Sequence, residues 1–127
     1  MEFVLAPDIA SELKRIIVGL DFQHLKPQNI VAFRSFGSKS RAVARIWSLP
    51  HIWQLALEKE AHYCVEVISE KFDGLSSSEK EKVLIHELLH IPKNFSGALL
   101  PHRHQSQRID RRTVEHWHAR LYNKNSV

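Results

Sequence analysis

Ser76-Ser77-Ser78-Glu79-Lys80-Glu81-Lys82-Val83-Leu84-Ile85-His86-Glu87-Leu88-Leu89-His90-Ile91-Pro92 is the stretch on which the reading of this 127-residue chain turns. Its serines, followed by Glu79 and Glu81, supply two overlapping capping boxes, Ser76 with Glu79 and Ser78 with Glu81, so a helix start is well marked. Pro92 ends it. Leu84, Ile85, Leu88, Leu89 and Ile91 make the segment from Ser76 to Ile91 apolar nearly all round, which predicts a buried helix. On that helix His86 and His90 stand at positions i and i+4 and project side by side, with Glu87 one residue round. A buried polar face of this composition needs a partner, and a metal ion held by two neutral imidazoles is the most economical one. The adjacent carboxylate is then placed to take a proton from a water whose pKa the ion lowers to about 7.

The rest of the chain supplies a small mixed architecture around this helix. Pro7 to Leu20 places Ile9, Leu13, Ile16, Ile17 and Leu20 at helical spacing. Asn29 to Phe36 and Ala42 to Leu49 are rich in β-branched and aromatic residues, and Gly37-Ser38-Lys39-Ser40 between them predicts two paired strands. His51 to Lys59 fits a short helix or an irregular connection, and His62 to Glu70 alternates as a third strand. Asp73-Gly74 turns into the metal helix. A last helix over about Arg108 to Asn123 carries the apolar stripe Ile109, Val114, Trp117 and Leu121. The order predicts an α+β fold, a small mixed or antiparallel sheet packed against the metal helix with N-terminal and C-terminal helices, and the His-Glu-x-x-His pattern on that helix makes its likeness a minimal zincin-like one. Trp47, Trp53 and Trp117 are assigned to the core.

Composition bounds the alternatives. With 43% hydrophobic residues, residues 1–127 suit one domain with one core. The single cysteine, Cys64, excludes an internal disulfide framework, and its neighbours Tyr63 and Val65 point to an inert thiol at a buried strand position. No apolar run approaches the ~20 residues needed to cross a bilayer, and Met1-Glu2 followed by Pro7-Asp8 does not resemble a signal peptide. The expectation is a soluble, cytoplasmic protein without a membrane partner.

His86-Glu87-Leu88-Leu89-His90 is the zincin metalloprotease signature, and a zinc site needs a third protein ligand. The candidates are His102, then His104, both in Leu100-Pro101-His102-Arg103-His104, and then Glu115 on the last helix. The short metzincin spacing is absent, because its third position is Ser96. A bland reading of Glu115 pairs it with Arg111 or Arg112 on its own helix. Ligating histidines commonly hand their other nitrogen to a carboxylate or carbonyl, for which Glu66, Glu70 and Asp110 are available. His104, His116, His118 and Tyr122 are candidate oxyanion donors.

The stretch from His86 to Pro92, continuing through Phe95-Ser96-Gly97 to Pro101-His102, resembles the small metallopeptidases of archaea and phages. It is similar, more distantly, to SprT-like and Spartan metalloprotease domains. In those groups a histidine after a loop of comparable length completes the metal site, and their Pro-His pair matches Pro101-His102, so the resemblance implies His102 as third ligand. Ala44-Arg45-Ile46-Trp47 and Tyr63-Cys64-Val65-Glu66-Val67-Ile68 resemble the strands that precede the metal helix, which extends the likeness over most of residues 30 to 120. The SprT-like His-Gly-x-x-Phe pattern is not reproduced, since Arg103 stands in the glycine position and Gln105-Ser106 brings no aromatic. A second resemblance, to minimal gluzincins with a glutamate ligand on a later helix, nominates Glu115.

Residues 101 to 127 hold Arg103, Arg108, Arg111, Arg112, Arg120 and Lys124 against Asp110 and Glu115, which accounts for the whole formal excess of +4. Such a segment suits an acidic substrate or nucleic acid, and equally a solvated face. The expectation is a zinc metallopeptidase with one Zn2+ per chain on His86, His90 and His102, acting on peptide or protein substrates through a zinc-bound water with Glu87 as general base. The alternatives are a zinc-binding protein without peptidase activity and a nucleic-acid-associated protease.

Overall fold

The computed structural model describes residues 1–104 and 108–123. In chain order it comprises β1 (Glu2–Leu5), α1 (Pro7–Gly19), a 3-10 turn (Pro27–Asn29), β2 (Ile30–Phe36), β3 (Ala44–Ser48), α2 (His51–Leu57), β4 (Tyr63–Ile68), α3 (Ser69–Phe72), α4 (Ser77–Leu89) and α5 (Arg111–Asn123). The fold is α+β, as the periodicities predict. No helix among the described residues is long and apolar enough to cross a membrane.

The sheet order is β1-β2-β4-β3, with β4 parallel to β2 and antiparallel to β3. The expected pairing of residues 29–36 with 42–49 is therefore corrected: β4 lies between them. Tyr63, Val65, Val67 and Ile68 are all fully buried, and this most buried strand takes the centre while the more exposed β3 takes the edge. Short hydrogen bonds from Ser40 N–H to Ser38 Oγ and from Ala42 N–H to Ser40 Oγ turn the chain that carries β3 past the gap. The opposite edge, β1, pairs antiparallel with β2 and has no counterpart in the sequence reading, because Phe3-Val4-Leu5 is exposed throughout and shows no alternation.

Ile30, Ala32, Ala44, Tyr63, Val65 and Val67 form one face of the sheet, and α1 and α4 pack there through Ile9, Leu13, Ile16, Leu84, Ile85 and Leu88. α5 closes the layer over α4 with Val114 and Leu121. The opposite face carries Phe33, Arg45, Trp47, Cys64 and Glu66. Cys64 is consequently half-buried rather than buried. Trp47 and Trp53 are also corrected: they are 49% and 55% exposed, because Trp47 sits on this outer face and α2 buries none of its residues. Trp117 does pack, edge-on against Phe22.

In α4 the Ser76 hydroxyl accepts from Glu79 N–H as its box requires. The second box does not form, since the Glu81 side chain turns inward to other partners. α5 begins at Arg111, later than the pattern suggests, because Asp110 caps it by accepting from Thr113 N–H and Oγ. Lys124, counted in the basic segment, and Gln105-Ser106 lie outside the described residues.

Candidate metal centre

The C-terminal half of α4 turns His86, Glu87 and His90 toward a cleft of about 980 Å³. Residues 42–47, from the approach to edge strand β3 and the strand itself, form one wall, and α4 with Val114 and Glu115 of α5 forms the other. Leu99 and His102 close one end. The apolar periodicity that buries Leu84, Ile85, Leu88 and Leu89 against the sheet leaves the intervening His86-Glu87-His90 side for the cleft. Arg45 and Trp47 turn their side chains to the other face, where both donate to the buried Glu66 and brace the edge strand from behind.

His102 is brought to the same point by the loop that follows α4. Leu100 N–H donates to the carbonyl of His90 at 2.7 Å, and Ile109 N–H donates to the carbonyl of His102 at 2.8 Å, so the chain on both sides of His102 is tied down. Among the described residues, His86, His90 and His102 form a group in which one ring nitrogen from each lies within 4.8 Å of the others. His86 Nε2 and His102 Nε2 are 3.2 Å apart. Two imidazole nitrogens at that separation share either a proton or a cation. Burial, with His90 and His102 nearby, pushes His86 down to about 4, and burial outweighs the Leu100 bond in holding His90 below the ordinary histidine value. Neutral imidazoles are what a metal requires.

His90 Nδ1 lies 2.6 Å from the carbonyl oxygen of Leu100, which makes it the donor there and leaves the Nε2 lone pair for the cleft. This backbone carbonyl, and none of the expected carboxylates, orients the ring. Glu66 is taken by Arg45 and Trp47, Glu70 accepts from Gly37 N–H, and Asp110 caps α5. Glu87 is only 8% exposed, and burial alone pushes its carboxyl up to about 8.

The remaining candidates stand apart from the cluster. Glu115 lines the cleft but pairs with Lys82 at 3.2 Å and with Arg111 at 3.8 Å on its own helix. His118 and Tyr122 are both bonded to Glu81, His116 packs edge-on against Trp117, and neither these nor His104 line the cleft. The donor set fits a dication of borderline softness: three imidazoles, a neighbouring carboxylate and an open side toward the cleft.

A His-Glu-Leu-Leu-His helix completed by a histidine from the following loop, inside an α+β fold, is the build of a metal-dependent peptidase centre. The chain belongs to the family described as "Putative phage metallopeptidase", whose model matches residues 1–121. No curated protein and no solved structure gives a significant match.

Proposed function

We propose that the protein is a zinc metallopeptidase in which His86, His90 and His102 hold one Zn2+ and Glu87 is the general base. The observation that supports this most is the convergence of three imidazoles beside a buried carboxylate in an open cleft. When bound, the ion lowers the pKa of a water to about 7, polarises the scissile carbonyl, and draws the Glu87 carboxyl down into its ionised form. Beside such a site Glu87 would accept a proton from the attacking water and pass it to the departing amine. Edge strand β3 supplies free main-chain groups along the cleft, against which an extended peptide aligns as an added strand.

The test is a comparison of wild type, Glu87→Gln and His102→Ala for zinc content and for cleavage of unfolded protein substrates. Glu87→Gln is expected to keep about one zinc per chain and to lose activity by a factor of roughly 10² to 10⁴. His102→Ala is expected to lose both zinc and activity. A Glu87→Gln protein as active as wild type, or equal zinc in His102→Ala and wild type, refutes the assignment.

A further inference from the structure

Tyr63 is the first residue of the central strand β4, and its side chain is completely buried on the helix-covered face. A hydroxyl at such a depth must be satisfied, and both of its partners come from the loop after α4. Tyr63 Oη donates to the carbonyl of Ala98 at 2.8 Å and accepts from Gly97 N–H at 2.8 Å. The ring packs edge-on against Phe95, centroids 5.0 Å apart.

The loop is shaped to meet that hydroxyl. Phe95 and Gly97 both adopt positive φ, 48° and 95°. A Cβ at Gly97 would sit 2.6 Å from the Leu49 carbonyl and 2.3 Å from Gln54 Nε2, so the backbone passes where only glycine fits. Gln54 Nε2 adds a bond to the Ser96 carbonyl. Immediately beyond this anchored turn, Leu100 makes its two bonds to His90, and His102 follows.

We infer that Tyr63 is a positioning residue for the metal centre: by holding Gly97 and Ala98 to the sheet, its hydroxyl sets where Leu100 meets His90 and where His102 meets His86. The inference rests on the metal-site reading above, but it also makes a claim about the loop that stands without metal. Tyr63 touches no ligand itself. It connects the central strand of the sheet to the segment that carries His102, which lies outside the helices and strands.

The experiment uses Tyr63→Phe, which removes one oxygen and keeps the ring, beside Phe95→Leu, which loosens the same packing and keeps the hydroxyl clamp. Zinc affinity is measured by chelator competition well below the melting temperature. Amide hydrogen exchange is measured on the metal-free proteins. Tyr63→Phe is expected to bind zinc about 10-fold or more weakly, in the range found for groups that orient ligands. Leu100 N–H, remote from the lost oxygen, is expected to exchange several-fold faster. Phe95→Leu is expected to keep near-wild-type zinc affinity even where its melting temperature falls. Wild-type zinc affinity and wild-type Leu100 exchange in Tyr63→Phe overturn the inference, as does an equal loss of zinc affinity in the two variants. A wild type that binds no zinc refutes the metal-site reading, and the Leu100 exchange rate then decides the role of Tyr63 by itself.

Discussion

Helix α4 carries two glutamates buried to nearly the same depth, Glu81 at 5% and Glu87 at 8% exposure, and they ionise in opposite directions. For Glu81, burial is the largest influence and pushes the carboxyl up. Hydrogen bonds from Tyr122, Arg15 and His118 together outweigh it and hold the group below the ordinary value. For Glu87 burial acts unopposed. The first half of the helix thus uses its carboxylate to bind α1 and α5 together, whereas the second half keeps its carboxylate uncommitted in the cleft. Depth alone assigns neither role; the presence or absence of donors does.

Truncating the satisfied carboxylate is the strongest way to break this contrast. Glu81→Ala removes the acceptor shared by Arg15, His118 and Tyr122, and is expected to cost about 2–3 kcal/mol of stability, seen as a lower denaturation midpoint. Cleavage per folded molecule should be retained, since Glu81 does not line the cleft. A variant as stable as wild type would mean that the three bonds contribute nothing.

The pH dependence of metal-free stability separates the two groups by sign. Glu87 has a raised folded-state value, so its contribution is fully present below 4.5 and is lost as pH rises through about 8. Glu81 has a lowered one, so its contribution is present above 4.5 and is lost as pH falls through its folded-state value. Glu87→Gln should therefore flatten the decline between pH 4.5 and about 8, and a Glu81→Gln protein the loss below 4.5. Denaturation profiles in chelator check this, and exchange of the two effects between the variants would reverse the comparison. The smallest expected effect is that of Tyr122→Phe, which removes one of the three donors from a largely exposed tyrosine and should cost about 1 kcal/mol. A cost matching that of Glu81→Ala would make Tyr122 the whole network.

The metal helix is legible in the sequence because its signals are local: Ser76 caps, Pro92 stops, and the apolar positions declare which side faces the sheet. The α+β class follows from the same kind of periodicity. Strand order does not, because β2 and β3 have similar patterns and their separation by β4 follows from which strand is the most apolar on the helix-covered face, a comparison no single segment makes. Trp47 and Trp53 mislead for a related reason: a tryptophan on an open sheet face, bonded to Glu66, has the same letter as one in the core. His102 enters through the likeness of Pro101-His102, whereas His90's oriented partner is a main-chain carbonyl, which carries no residue identity to find. A polar tip at Tyr63, on a strand face otherwise lined by Val65 and Val67, and Gly97 in the loop are the sequence signals that point to the anchored turn.

The double link between His90 and Leu100 has a consequence for what the protein keeps when its site is emptied. His90 Nδ1 carries a proton both in the neutral ring and in the imidazolium, so its bond to the Leu100 carbonyl survives acidification; only Nε2 changes hands. The main-chain bond from Leu100 back to His90 does not titrate at all. Acidification therefore leaves both links between His90 and Leu100 in place, and the loop stays joined to the end of the helix while Nε2 gains its proton.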